Sequence, residues 1–123
     1  MFVLDTGLDA THDEFADAQL AGSARAVANV FNGYGALADN TDVDGHGTHC
    51  AGTVGGSTIG VAAGASVYGV KVLDDDGSGF TSVIVDGVEH AMAWAEANPA
   101  TPVVISMSLG GACAASDLSL IHI

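Results

Sequence analysis

Short apolar runs alternate along this chain with segments of helical periodicity. Continuously apolar runs rich in β-branched residues predict buried strands at 2–4, 26–31, 66–73 and 102–108. Small residues predict a closely packed helix from His46 through Val54. A second predicted helix is capped by Thr81 or Ser82 and runs to about Asn98. Because the strands are apolar throughout and alternate with helices, we expect an α/β fold, a three-layer and mostly parallel sheet with helices on both faces.

Each predicted helix has a face suited to packing. Gly47, Ala51 and Gly52 are small enough for the first helix to lie buried against the sheet. Apolar residues at helical spacing mark the inward face of the second helix, namely Ile84, Val88, Ala91, Met92 and Ala95. Trp94 on the same helix is expected in the core or partly exposed.

Composition restricts the partners of this domain. The 123 residues, 49% of them hydrophobic, suffice for one compact domain. Fifteen acidic residues against only Arg25 and Lys71 give a formal charge of −13, which disfavours nucleic acid and anionic membrane surfaces. No apolar run approaches the ~20 residues of a spanning helix, and no signal peptide precedes the first strand, so the chain is expected to begin inside a mature domain.

Candidate chemistry gathers where the predicted strands end. In an open parallel sheet, ligands bind beyond the carboxyl ends of the strands. Asp5, the segment Gly77 to Phe80 and the segment Ser108 to Gly111 all follow strands. A carboxylate such as Asp5 can hold an imidazole by accepting its Nδ1 proton. His46, at the start of a helix, would have its neutral form favoured by the helix dipole, as a general base needs. Taken singly, Asp5 could instead merely open a turn and His46 be an ordinary loop residue.

Three segments together carry a family resemblance. They are Val3-Leu4-Asp5-Thr6-Gly7, Gly45-His46-Gly47-Thr48-His49-Cys50-Ala51-Gly52-Thr53-Val54-Gly55 and Ser106-Met107-Ser108-Leu109-Gly110-Gly111. In this order they resemble the signatures of subtilisin-like serine proteases, the peptidase S8 family. Cys50, with the stretches Tyr68 to Asp75 and Gly77 to Gly79, resembles the proteinase K branch in particular. The resemblance covers Met1 to about Gly111, the first and middle part of the family's catalytic domain.

The resemblance implies roles for individual residues. Asp5 would be the charge-relay aspartate and His46 the general base of an Asp-His-Ser triad. Two segments would hold a peptide substrate between them: Gly77, Ser78, Gly79 and Phe80 on one side, and Ser108, Leu109 and Gly110 on the other. Without that implication, Gly77 to Gly79 could be only a turn and Leu109 only the end of a strand. His49, one turn beyond the base, is expected inside the protein, packed and hydrogen-bonded.

The nucleophile is not expected within this chain. Ser108 would complete the order Asp, His, Ser, but the family's serine lies in a later Gly-Thr-Ser-Met-Ala-type segment that these residues lack. The asparagine of the oxyanion hole also belongs to that later part. We therefore expect the parent to be a serine endopeptidase and this chain alone to be inactive. By the same resemblance, the full-length protein would be secreted and monomeric, and would act on peptides or proteins without a cofactor.

The end of the chain departs from the family pattern. We predict a partial peptidase domain at 1–111 and a divergent tail at 112–123. The last six residues resemble translated adapter sequence, which makes them a candidate assembly artefact. Cys50 is most simply a small buried thiol, although its position beside His46 could instead make it sensitive to mercurials. The sequence does not establish a disulfide between Cys50 and Cys113.

Metal binding is the rival chemistry. Asp44, His46, His49 and Cys50 offer nitrogen, oxygen and sulfur donors, but no distant ligand of suitable spacing accompanies them, so no catalytic metal is predicted. The acidic stretch from Asn40 begins like an EF-hand but lacks its final glutamate. A family-type structural calcium at Asp39, Asp42 or Asp44 stays open. The alternative function is thus a non-catalytic domain that binds peptide or calcium and retains the cleft.

Overall fold

The computed structural model describes residues 1–16, 26–36 and 42–111. Its elements, in chain order, are β1 (Phe2–Asp5), a 3₁₀ turn (Asp13–Phe15), β2 (Ala26–Asn32), α1 (His46–Gly55), β3 (Val67–Lys71), α2 (Thr81–Ala97) and β4 (Ile105–Ser106). Both predicted helices and all four predicted strands are present. The expectations for Asp39, Cys113 and the tail at 112–123 concern residues outside these described ranges.

The four strands form one parallel sheet in the order β2-β3-β1-β4. β1 pairs with β3 along its whole length, from Phe2 opposite Tyr68 to Asp5 opposite Lys71. On its other side β1 pairs with β4 only at Phe2 and Val3. The parallel α/β fold is confirmed, and it places the carboxyl ends of all four strands along one edge of the sheet.

Helices cover the two faces of this sheet. Side chains of β1 alternate between the faces, as they do in any strand. Phe2 and Leu4 lie in the core on the α2 side, with Val70, Val72 and Ala91. Val3 lies on the α1 side, packed with Ala51, Val67 and Leu8. The alternation gives Asp5 the same face as Val3, so the strand itself directs the carboxylate towards α1.

Aromatic side chains hold α2 on its face of the sheet. The ring of Phe2 stacks on Tyr68 at 5.1 Å between centroids and meets the edge of Trp94 at 5.5 Å. Tyr68 and Trp94 complete the group at 5.6 Å. Such pairs add about 0.5–1.5 kcal/mol beyond the burial of their area. Trp94 is partly buried in this cluster, as expected.

Three local expectations about the elements are wrong. α2 begins at Thr81 with Phe80 as its N-cap, and no side chain caps it, so neither Thr81 nor Ser82 is the cap. Met92 is 54% exposed, because it lies about 100° around the helix from Ala91, past the contact face. β4 includes only 105–106 of the predicted 102–108, since its pairing with β1 is short. Within the described residues, neither α1 nor α2 combines the length and apolarity needed to cross a bilayer.

Candidate active site

Asp5 and His46 meet where β1 ends and α1 begins. Nδ1 of His46 lies 2.7 Å from Oδ1 of Asp5. The same oxygen accepts a 2.7 Å hydrogen bond from the backbone N–H of Thr6. Asp5 is fully buried, whereas the side chain of His46 is 48% exposed. The structure therefore brings the two predicted catalytic residues together, with the carboxylate inside and the imidazole at the surface.

A glycine permits this close approach. Gly47 packs on the chain just after β1, and a Cβ atom there would lie 2.2 Å from the carbonyl oxygen of Gly7 and 3.1 Å from Cβ of Asp5. Any side chain at position 47 would thus push α1 off the strand. The other buried residues of α1 are also small: Ala51 and Gly52, as the sequence predicted, and Gly55.

The hydrogen bond fixes the tautomer of His46. An ionised carboxylate only accepts, so the proton of the neutral imidazole resides on Nδ1. Nε2 then carries a lone pair. Because the ring is half-exposed, Nε2 is accessible to a proton donor that approaches from the surface. Asp5 Oδ2 is buried and has no hydrogen-bond partner among the described residues. The pair can therefore take a proton at Nε2 and stabilise the resulting imidazolium through Asp5.

The electrostatics of His46 differ from the expectation. The hydrogen bond to Asp5 and the charge of that carboxylate raise the pKa of His46, against a smaller lowering by burial. Asp44 and Asp42 raise the pKa slightly further through their charges. The helix dipole alone predicted the opposite direction. That prediction is wrong because a carboxylate in contact with the ring outweighs the partial charge of a helix end.

The segment before α1 is tied to β1 by Asp42, Thr6 and Thr48, for which the sequence predicted no such linking role. Asp42 accepts hydrogen bonds from Thr6 Oγ1 and Thr48 Oγ1, and also from the backbone N–H groups of Gly45 and Thr48. Thr6 Oγ1 in turn accepts from the N–H of Gly47. The signal for Thr6 and Thr48 was present, since each adjoins a recognised motif residue. Nothing in the sequence pattern distinguished Asp42 from its acidic neighbours.

The first predicted substrate segment follows β3. Gly77, Ser78, Gly79 and Phe80 are all exposed, after a turn in which Asp74 accepts from the backbone N–H of Asp76 and Ser78. Gly79 needs its small size for packing, because a Cβ there would lie 2.6 Å from the carbonyl oxygen of Val72. A Cβ on Gly77 would lie 3.6 Å from Oδ2 of Asp44, which places this segment beside the start of α1.

The second predicted segment follows β4. Ser108 and Gly110 are exposed, and Leu109 is half-buried against the core on the α2 side. β3 and β4 are the two neighbours of β1 in a parallel sheet. The segments that leave them, 77–80 and 108–110, therefore leave the sheet on either side of Asp5. The Asp5–His46 pair therefore lies at the edge of the sheet, between the two strands from which these segments depart.

His49 is exposed, so the expectation that it packs inside is wrong. It lies two positions from Gly47 and two from Ala51, about 200° around the helix from each, while those residues form the buried face. Instead it lines an open cavity of about 380 Å³ on the outer side of α1, with His12, Glu14 and Phe15 among the other lining residues.

Cys50 lies one helical turn beyond His46. Its sulfur is 4.0 Å from Nδ1 and 3.9 Å from Nε2 of the imidazole, and its side chain is partly buried. Asp5, His46 and Cys50 offer one donor atom each, all within 4.8 Å of one another. Such a mixed set with a thiolate suits a soft metal ion, and any ion held there would occupy the base. The donor set considered from sequence shared His46 and Cys50 with this one but contained Asp44 and His49 in place of Asp5.

Comparisons with known proteins show the family and the fold of this chain. Residues 2–119 match the family model for Peptidase S8, the subtilase family. Over 117 residues, 94% of the chain, 42% are identical to the cuticle-degrading protease of Metarhizium anisopliae and 42% to Proteinase R of Parengyodontium album. The crystal structure of a cold-adapted subtilisin-like serine proteinase superposes with a TM-score of 0.76 at 39% identity, covering 98% of this chain.

The chain spans only part of these proteins. It covers 28% of the cuticle-degrading protease and 27% of Proteinase R. It covers 40% of the superposed crystal structure.

Proposed function

This chain belongs to the subtilase family of serine proteases, in its proteinase K branch, and we propose that Asp5 and His46 are two members of its catalytic triad. The observation that carries the proposal is the 2.7 Å contact between Asp5 Oδ1 and His46 Nδ1, with the carboxylate fully buried and the imidazole half-exposed. The third member would be a serine from a segment outside this chain.

In the proposed reaction, His46 Nε2 takes the proton of that serine as its hydroxyl attacks the peptide carbonyl. The imidazolium then gives the proton to the leaving amine, and an acyl-enzyme remains. Water, activated by the same nitrogen, releases the acid. Asp5 keeps Nδ1 protonated and turned inward throughout, and its negative charge stabilises the imidazolium. Because the serine and the oxyanion-hole asparagine would come from a later segment of the parent protein, we expect that the 123-residue chain alone does not hydrolyse peptides.

We propose that the substrate is an extended peptide within a protein. Gly77 to Phe80 would pair with it as an added strand, and Ser108 to Gly110 would form the opposite wall. Support comes from the topology, which sends the two segments out on either side of Asp5, and from their exposure. Pairing with an extended stretch of peptide would favour cleavage between internal residues, the endopeptidase activity.

A covalent probe tests this function in the complete protein. A fluorophosphonate should label one serine, and His46→Ala should abolish the labelling because the serine loses its base. Asp5→Asn should slow labelling about 10⁴-fold by presenting the wrong imidazole tautomer. A complete protein that takes up no probe yet binds peptides or calcium would contradict the protease and support the non-catalytic alternative.

We further propose that the full-length protein is secreted and monomeric, and that its chemistry requires no metal. The charge of −13 argues against nucleic acid and anionic membranes as partners. Structural calcium is compatible with this proposal, although the oxygens of Asp42 already accept hydrogen bonds from protein groups. Culture fractionation, gel filtration and activity after treatment with a chelator test these points in turn.

A further inference from the structure

Asp42 joins three parts of the site at once. Its Oδ1 accepts from Thr6 Oγ1 at 2.7 Å and from the backbone N–H of Gly45 at 3.1 Å. Its Oδ2 accepts from the backbone N–H of Thr48 at 2.8 Å and from Thr48 Oγ1 at 2.6 Å. Each carboxylate oxygen thus has two donors. The side chain connects the residue after Asp5, the N-cap of α1 and the first turn of α1.

Thr6 closes this connection into a ring. Its hydroxyl donates to Asp42 and accepts the backbone N–H of Gly47 at 3.0 Å, in a buried position. Its own N–H donates to Asp5 Oδ1, the oxygen that receives His46 Nδ1. The two residues that flank His46 in sequence, Gly45 and Gly47, are therefore both held by this ring, one by Asp42 and the other by Thr6.

The ring sets the position of the base in two ways. It fixes the rotation and height of α1 relative to β1, because it accepts from the N–H groups of Gly45, Gly47 and Thr48, on both sides of His46. It also satisfies N–H groups of the first helical turn, which have no partner within the helix. The hydrogen bonds of the ring favour the ionised form of Asp42. Burial raises its pKa, but the hydrogen bonds from Thr48, Thr6 and Gly45 together outweigh burial and leave its pKa below the usual range.

We propose that Asp42 is a positioning residue that holds His46 in hydrogen-bonding register with Asp5. It makes no contact with the imidazole and acts through Thr6 and the backbone of α1. The effect of Asp42 on catalysis rests on the proposed function, whereas its effect on the Asp5–His46 hydrogen bond does not. Turnover measures the first effect and NMR the second.

Asp42→Asn is the sharpest perturbation. The amide keeps the shape of the side chain but replaces one acceptor oxygen by an NH₂ donor. The N–H of either Gly45 or Thr48 then faces another donor. Asp44→Asn is the matched control: it removes a charge that raises the pKa of His46 more than Asp42 does, and its Oδ1 can still accept from the N–H of His46. If Asp42 acts only through its charge, Asp44→Asn should lower the pKa of His46 more than Asp42→Asn does. If Asp42 positions His46, Asp42→Asn should lower it more.

The readout is the imidazole of His46 in the complete protein, followed by ¹H and ¹⁵N NMR. In Asp42→Asn we expect the downfield Nδ1 proton signal to disappear and the pKa of His46 to fall by more than in Asp44→Asn. Equal or smaller changes in Asp42→Asn, with the Nδ1 signal retained, would overturn the proposal. Turnover should show kcat lowered by as much as about 10²-fold with KM nearly unchanged, as expected for a displaced catalytic group.

A second pair of variants decides the matter if Asp42→Asn does not fold. Thr6→Ser retains the hydroxyl that links Asp42 to Gly47, and Thr6→Val removes it with little change in volume. The proposal requires the Nδ1 signal in Thr6→Ser and its loss in Thr6→Val. A signal in both variants would refute it. If the parent takes up no serine-reactive probe, the proposed function fails, while these spectra still report on Asp42.

Discussion

Replacing Gly47 with alanine should destabilise the protein and draw His46 away from Asp5. The new Cβ would lie 2.2 Å from the carbonyl oxygen of Gly7, a backbone atom that cannot rotate aside. Helix propensity favours alanine over glycine by about 1 kcal/mol. Overpacking costs about 1–3 kcal/mol, and a collision with backbone belongs at the upper end. We therefore expect a net loss of about 2 kcal/mol in the free energy of unfolding.

Gly52 on the same helix supplies the control. Among the residues that the structure describes, a Cβ there would meet only Cδ1 of Ile59, at 3.7 Å, an ordinary van der Waals distance. Both glycines are buried in α1, so Gly52→Ala makes the same chemical change without the collision. Here nothing opposes the higher helix propensity of alanine, and we expect the free energy of unfolding to rise by up to about 1 kcal/mol.

Urea unfolding of the complete protein measures both variants, after treatment with a serine-reactive inhibitor to guard against proteolysis. NMR titration of His46 follows the site in the same samples. In Gly47→Ala the pKa of His46 should fall towards its ordinary value, because the hydrogen bond to Asp5 that raises it is lengthened. A Gly47→Ala protein as stable as Gly52→Ala, or one that keeps the raised pKa, would refute this account of the helix–strand contact.

Three other outcomes follow from the structure. Since the pKa of His46 is raised in the folded protein, the Asp5–His46 pair stabilises the fold fully below about pH 6.5, the unfolded pKa, and this stabilisation is lost as the pH rises through the folded pKa. The difference in free energy of unfolding between wild type and Asp5→Asn, measured in urea, should therefore shrink over that window. A constant difference would contradict the pairing. Mercuric ion should inhibit by binding Cys50 beside His46, and inhibition that persists in Cys50→Ala would exclude this site. Phe2→Ala should cost about 3–5 kcal/mol in thermal or urea unfolding, whereas Met92→Ala should stay within about 0.5 kcal/mol.

The sequence predicted the fold well because the strands and helices here have unambiguous patterns. β1 is apolar up to Asp5 and buried on both sides, so only a strand between two helical layers fits it. The small residues of α1 identified a buried helix for the same reason. The order of the three motifs led to the family, which the comparisons confirm. The roles of Asp5, His46 and the two substrate segments stay predictions.

The sequence did not predict the features that depend on the rotation of a helix about its axis or on contacts between distant segments. His49 was placed inside because it follows His46 by one turn, but the buried face of α1 is set by Gly47 and Ala51. Asp42 stood among other acidic residues of a loop, and only the fold shows that four donors converge on it. Periodicity describes the face of a single element, so contacts between distant segments such as Thr6 and Asp42 are beyond it.

Two opposing effects act on the pKa of His46: the end of α1 favours the neutral ring, and the carboxylate of Asp5 favours the charged one. A helix end acts on a nearby charge with about 0.3–1 kcal/mol at an exposed position. A hydrogen bond to a charged group contributes about 1.5–3 kcal/mol, and this figure must be reduced for solvent screening because the imidazole is 48% exposed. Asp5 itself is fully buried, so its side of the contact is screened far less than an exposed ion pair. The carboxylate therefore prevails, and it strengthens the base at the cost of keeping it protonated to a higher pH. Activity of the complete enzyme should accordingly rise with pH through the raised pKa of His46, because only the neutral imidazole can accept the proton of the serine.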